Sequence, residues 1–288
     1  MSQAELNSED KIFLDEAARF FANPGLVAKS LSWASKPVES MQKRLPGKVK
    51  QAIAVVTEKA IKKALVAAVK TIPSNKNVAD REKESINSSR IHRALATATG
   101  VAGGLAGLPS LVIELPLTTV LILRAISDQA RLFGHDLSDL ETRLECLMVF
   151  TMGVPEASDG SGLDKPTASY FAARASFVTM MRRAVATAGA FTATELISTF
   201  ERGSAPLLTK FVAAIAEKFQ IRVSQKFLAE GVPIFGAVGG GAVNYAFTDF
   251  FVRTARYHFG IRALEKKYGE TIVQDYFGIA RANPSLET

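Results

Sequence analysis

The chain has few of the residues from which enzymes and metalloproteins build their sites. Of its 288 residues, one is cysteine, one is tryptophan and three are histidine. A lone cysteine, Cys146, excludes an intramolecular disulfide and the C-x-x-C spacing of zinc and redox sites. Among apolar neighbours it reads as a small buried hydrophobe. His92, His135 and His258 lie far apart, without His-x-x-His or His-Glu-x-x-His spacing, so the sequence calls for no metal and no cofactor. It holds no G-x-S-x-G elbow. Gly239-Gly240-Gly241 lacks the lysine and the preceding strand of a phosphate loop. Sustained β-branched alternation is also missing, which points to an all-α fold, a single multi-helix bundle.

Long uninterrupted apolar runs are missing as well, and a spanning helix needs about twenty such residues. Ala98–Ile113 has sixteen residues without charge but contains four glycines and Pro109. Leu115–Leu123 has nine, and Phe235–Phe247 has thirteen with Asn244 inside. None is an ordinary span, although a helical hairpin dipping in from one side stays open. The start, MSQAELNSEDKIF, is polar and acidic where a signal peptide would be basic and then apolar. The expectation is a cytoplasmic chain, peripherally associated with the inner face of the membrane.

What the chain does have is apolar surface and positive charge. Hydrophobic residues make up 48% beside 22% charged residues, with net charge +7 and mean hydropathy +0.13. That pairing suggests a deeply buried helical core or contact with lipid. Residues 29 to 93 carry fifteen Lys/Arg against five Asp/Glu, so the excess is directional. This divides the chain into a basic N-terminal helical region, 1–75, and a helical core, 76–288. Within the basic region, Lys48 to Ile72 winds as a helix that gathers Lys48, Lys59, Lys62, Lys63 and Lys70 on one side. Val49, Ile53, Val56, Ala60, Ala64 and Ala67 lie toward the other. Such a lysine face is either the solvated outside of a bundle or a surface for anionic membrane lipid.

The centre of the chain is Leu95 to Gly134, with one charge, Glu114, between Ala94 and Leu123. Pro109 and Pro116 are expected to break this run into pieces, with a helix restarting at Pro116 and stopping at Gly134 in a left-handed cap. Gly100/Gly104 and Gly103/Gly107 form small-xxx-small pairs, and Gly236/Gly240 and Ala237/Gly241 repeat that spacing later. The two glycine-rich blocks are expected to pack against each other. GLAGLPSLVIELPLTTVLILRAISDQARLFGHDLSD, then ETRLECLMVFTMG, and later VPIFGAVGGGAVNYAF together resemble the EcsC family over roughly residues 95 to 260. The resemblance implies a fold and a membrane-related context, since the family takes its name from a bacterial protein encoded beside an ABC transporter. It implies no reaction and no catalytic residues.

Elsewhere Ser8-Glu9-Asp10 is expected to cap a helix whose Ile12, Phe13, Ala17, Phe20 and Phe21 share a face. A short piece around Trp33 follows, and a polar helix begins near Asn77. Arg124, Asp128 and Arg131 stand at ion-pair spacing. Asp136 fits turn chemistry beside His135. Ser138 and Glu141 form a capping box that opens a helix over 139–152. Residues 154 to 166 read as a surface loop. Long helices are expected at 167–201, 205–230 and 261–280.

Glu114, Arg124, Asn244, Asp249 and Arg253 lie in or beside the apolar blocks, where a charge must be paired. Glu114 or Asp249 is expected to meet Arg124 or Arg253, and Asn244 to satisfy a carbonyl at a helix break. This cluster reads either as a polar knot fixing register or as a ligand or lipid-headgroup site. The leading functional expectation is a non-enzymatic, membrane-associated helical protein. Its partners would be anionic lipid or a membrane protein, for example a transporter, and its core would hold lipid or partner helices. The alternative is a hydrolase of a lipid or other apolar substrate, with Glu114, Ser110 or His135 in the site and His258 as a spatial base. Nucleic acid lacks any recognition motif here.

Overall fold

The structure, a computed structural model, describes residues 5–22, 45–72, 108–152, 166–188, 191–230 and 239–282. Among these the chain forms nine α-helices and one 3-10 turn, with no strand. The helices are α1 (Ser8–Ala22), α2 (Gly47–Lys70), α3 (Leu108–Leu132), α4 (Leu140–Met148), α5 (Pro166–Ala188), α6 (Ala193–Glu201), α7 (Pro206–Glu230), α8 (Gly239–Tyr268) and α9 (Glu270–Ala282). The 3-10 turn Val149–Thr151 follows α4. The piece around Trp33, the helix near Asn77, glycines 100, 103, 104, 107 and 236, and the loop 154–165 lie outside the described residues.

The central run does not break at Pro116. α3 is continuous through Pro116. Pro109 falls in its first turn, where no backbone donor is needed. Pro116 removes only the amide that would reach the Val112 carbonyl. Val112 is exposed, so water can take the donor's place. Leu111, Leu115, Thr118, Thr119 and Ile122 are buried, and this packed stripe holds the helix across the missing bond. Gly134 ends α3 as expected, with φ +78°. Its amide donates to the Arg131 carbonyl at 2.9 Å and the His135 amide to the Ala130 carbonyl at 3.0 Å, the paired bonds of a left-handed cap.

Other boundaries moved as well. Asn7, not Ser8, caps α1, its Oδ1 accepting from the Asp10 amide at 2.7 Å. Ile12 faces outward, while Leu14, Ala17, Ala18, Phe20 and Phe21 are buried. The Ser138–Glu141 box does not form: α4 starts after Asp139 without a side-chain cap. Glu141 instead reaches Arg182 on α5 at 3.3 Å, and Ser138 donates its amide to Asp136 Oδ1 at 2.8 Å. The expected helix 167–201 is two helices, because Thr192 and Glu195 make a reciprocal capping box that starts α6.

Gly260 does not end the second apolar block; it lies inside α8, which runs on to Gly269 at φ +97°. The reason is packing. A Cβ at Gly260 would collide with the edge of the Phe13 ring and lie 3.1 Å from Phe133, and Phe13 is wedged against Phe133 and Tyr257 with centroids 5.7 Å away in each case. Gly260→Ala is therefore expected to lower the melting temperature. Overpacking of about 1–3 kcal/mol exceeds the helix-propensity gain of about 1 kcal/mol. Phe13→Leu in the same chain should restore part of the loss in a thermal melt, whereas an unchanged melt would mean that Phe13 swings aside freely.

Three helices share a direction. Arg143 donates to the Val69 carbonyl at the end of α2 and to the Leu137 carbonyl just past α3, both at 2.6 Å. Because α2 and α3 pack along each other, their starts also lie together. At the beginning of α3, Glu114 bonds Lys226, whose Nζ lies 5.8 Å from the Phe247 ring of α8. Past the end of α3, His135 Nε2 meets the Phe259 carbonyl at 3.0 Å. α2, α3 and α8 thus start at one end of the bundle, and α7 runs against them. Their apolar faces and those of α1, α4, α5, α6, α7 and α9 join one buried cluster, in which Phe150, Phe219 and Phe251 pack at steep ring angles with centroids 4.8–5.6 Å apart.

Candidate functional site: a basic helix face over two buried ionic clusters

α2 buries Ile53, Val56, Ala60, Ile61, Ala64, Leu65 and Ala68. At 100° per residue, the opposite side carries Lys48, Lys59, Lys62, Lys63 and Lys70, and all five are exposed. Glu58 is the acidic residue beside them and holds Lys62 at 2.6 Å. Val55, also exposed, lies within the same face. The face is thus cationic along its length with an apolar side chain at its middle.

Below it lies a buried ion pair. Lys226 Nζ on α7 donates to Glu114 Oε1 on α3 at 2.7 Å, with side chains 0% and 5% exposed. Glu114 is therefore buried and paired, as a charge in that run must be, but its partner is neither of the arginines expected. Arg124 is exposed, because it lies one stripe away from the buried face of α3. Arg253 is half-buried, with its guanidinium 5.2 Å from the Phe20 ring centroid, and Asp249 is half-buried. Asn244 is fully buried on α8. Of the five candidates, only Glu114 and Asn244 belong to the deep core.

A second cluster escaped the sequence reading. His258 on α8 is 0% exposed. Its Nε2 lies 3.0 Å from Glu145 Oε1 on α4, and its Nδ1 lies 2.9 Å from the Tyr170 hydroxyl on α5. A carboxylate can only accept, so Nε2 carries the hydrogen and Nδ1 accepts from Tyr170. Arg262 donates to Glu145 at 3.1 Å and to Glu265 at 3.0 Å, and Arg174 donates to Glu265 at 2.7 Å. The Arg174 guanidinium lies 5.7 Å from the Tyr170 ring centroid and completes a circuit through α4, α5 and α8. Two arginines and two glutamates balance with the imidazole neutral. The available signal was the spacing His258, Arg262, Glu265 at i, i+4 and i+7, which puts three polar groups on one helix face.

Burial alone would raise the Glu145 carboxyl. The His258 hydrogen bond and the neighbouring cationic groups outweigh it and hold the carboxyl at about 2. Burial lowers His258 from its usual 6.5 despite the pull of Glu145. Burial likewise lifts the Tyr170 hydroxyl to about 12 and the Cys146 thiol to about 12, so neither is an ionised nucleophile at neutral pH. Both depressed groups act on stability in one direction. Below pH 6.5 the unfolded chain takes up the His258 proton before the native state does, and below 4.5 the same holds for Glu145. Stability should be greatest at about pH 7.5–8, fall with acidification in two stages, and fall again above about pH 9, where the unfolded chain ionises Cys146 and then Tyr170 before the native state does. In melts against pH, His258→Gln should shrink the stage near 6.5, the remainder belonging to His135, which burial also shifts down, and leave the lower one. A melting temperature unchanged from pH 8 to 5 would contradict the neutral buried imidazole.

Of the proposed hydrolase residues, Glu114 and His135 do not meet. Glu114 and His135 stand about 25–30 Å apart along α3. Glu114 is held by Lys226, and His135 is tied to the Phe259 carbonyl. Asp136 takes the turn role expected of it. Only the backbone of Ser110 is described. Among the described residues no cluster of three or more His, Cys, Asp or Glu could hold a metal ion.

Fold and site define an all-α bundle with a cationic outer helix and a core tied by two buried ionic clusters. The chain belongs to the EcsC protein family, whose model matches residues 25–264. No curated protein and no solved structure matches it. No described helix is long and apolar enough to cross a membrane.

Proposed function

We propose that the chain is a non-enzymatic, peripherally membrane-associated helical protein that lies on an anionic lipid surface through α2. The carrying observation is the exposure of Lys48, Lys59, Lys62, Lys63 and Lys70 on one face with Glu58 as the acidic residue beside them. Each lysine near anionic headgroups contributes about 1 kcal/mol, and Val55 adds an apolar contact. A membrane lying against this face would be the cytoplasmic leaflet, which is the anionic one. An acidic surface of a membrane protein, a transporter among them, offers the same charge and is the second occupant to test. The idea that the glycine-rich core holds lipid turns on residues 95–107 and 231–238, outside the described residues.

Flotation on lipid vesicles tests the reading. The chain should float with phosphatidylserine-containing vesicles and stay in the soluble fraction with pure phosphatidylcholine. Recovery in the soluble fraction with both would remove the lipid surface. Binding to native membranes but not to protein-free vesicles would transfer the face to a membrane protein.

A further inference from the structure

Tyr170 is a joint at which four helices meet. Its ring stacks on Phe21 of α1 with centroids 4.3 Å apart and lies 6.1 Å from Phe277 of α9. Its hydroxyl donates to His258 Nδ1 of α8 at 2.9 Å. One turn on, Arg174 reaches Glu265 of α8 at 2.7 Å. The first turns of α5 are therefore tied to α8 by two hydrogen bonds, one of them to a titratable ring. The rest of α5 is held differently: it packs along α7 and α4, with Phe177, Met181 and Ala184 buried. Charged and titratable groups face His258 from every side. α4 supplies Glu145, α5 supplies Tyr170 and Arg174, and α8 itself supplies Arg262 and Glu265. The exposed Glu270 of α9 reaches Arg262 at 3.7 Å, and the His135 ring lies 5.0 Å from that of Phe259. The buried arginines and glutamates already balance, so a proton on Nδ1 adds an uncompensated charge to a closed site.

We infer that the first turns of α5 are an acid-released latch. A proton on His258 Nδ1 frees Tyr170 and Arg174 from α8 and opens the aromatic joint with α1 and α9, while the later half of α5 stays packed on α7 and α4. The proton takes the acceptor that the Tyr170 hydroxyl uses, the one it has among the described residues, and leaves a buried donor without a partner. It also charges a ring that is 0% exposed. Both costs vanish when the start of α5 swings out and water reaches the two groups. Arg174 follows readily: its Nη1 has no hydrogen-bond partner in the closed site, and water supplies one. The other helices around His258 are held more firmly. α8 packs on α3 and α7, and α4 is pinned by Arg143 to the Val69 and Leu137 carbonyls. Such local openings are the usual way in which a buried histidine turns acidification into movement. The latch is independent of the lipid docking, and either stands without the other.

Amide hydrogen exchange on the full chain at pH 7.5 and pH 5, corrected for intrinsic rates, tests the latch. With the ordinary His258 value of 6.5 restored in the open form, protection of residues 170–177 should fall by up to about 30-fold at pH 5. A series in low urea separates this opening from global unfolding. Exchange at 170–177 should be insensitive to urea, as a local opening exposes little surface, whereas exchange of α7 over 211–223 should rise with it. His258→Gln should abolish the pH dependence at 170–177, and His135→Gln should keep it. Protection of 170–177 that is equal at the two pH values would overturn the inference. So would a urea dependence there as steep as that of α7, or a pH effect lost in His135→Gln and kept in His258→Gln.

Discussion

Lys226→Met is expected to destabilise the protein by about 3–5 kcal/mol. The methylene stem is retained, so packing changes little, but Glu114 is left as an uncompensated charge among apolar side chains. For a chain of this size the loss corresponds to a drop of roughly 6–20 °C in melting temperature. The informative comparison is the double variant Glu114→Gln with Lys226→Met, which carries no charge into the core and should regain most of the loss. Equal melting temperatures for the single and double variants would mean that the Glu114 carboxylate reaches water in the native protein. A single-variant loss below about 1 kcal/mol, the range of exposed pairs, would say the same.

The second large effect concerns binding. Replacing Lys48, Lys59, Lys63 and Lys70 together by glutamine should weaken partition onto anionic vesicles by about 4 kcal/mol at about 1 kcal/mol for each lysine, close to a thousandfold. Lys62 is left in place because Glu58 already offsets it. The four side chains are exposed, so the melting temperature should hardly change. This separates a binding defect from a folding one. Sedimentation with vesicles across a range of lipid concentrations gives the shift directly. A loss of less than tenfold would place the docking surface elsewhere on the chain.

Much of the fold was legible because helix periodicity and the scarcity of β-branched alternation survive without tertiary information. The lysine face of α2 came from winding the sequence, and Gly134 from the residue type that a left-handed cap requires. Three of the misses share a cause: a local rule was overridden by a contact distant in sequence. Pro116 sits inside α3 because a buried stripe holds the helix across it. Gly260 sits inside α8 because the Phe13 ring occupies the space a side chain would take. Glu141 could complete a local box but reaches Arg182 instead. The buried pairs show the same limit. Glu114 was identifiable as a charge needing a partner, yet Lys226 lies 112 residues away on a helix that looks ordinary in sequence. Glu145 and His258 are 113 apart. Burial of one partner is readable from its apolar neighbours, whereas the identity of the other depends on how the helices cross.

The central claim is that α2 carries the chain onto an anionic bilayer. It is tested most directly by the partition of the unaltered chain onto vesicles as phosphatidylserine content and salt are varied independently. The account predicts binding that rises steeply with phosphatidylserine and is progressively screened by salt, since the Debye length shortens from about 10 Å at 0.1 M to about 3 Å at 1 M. Partition that ignores both variables, or is absent throughout, would contradict it.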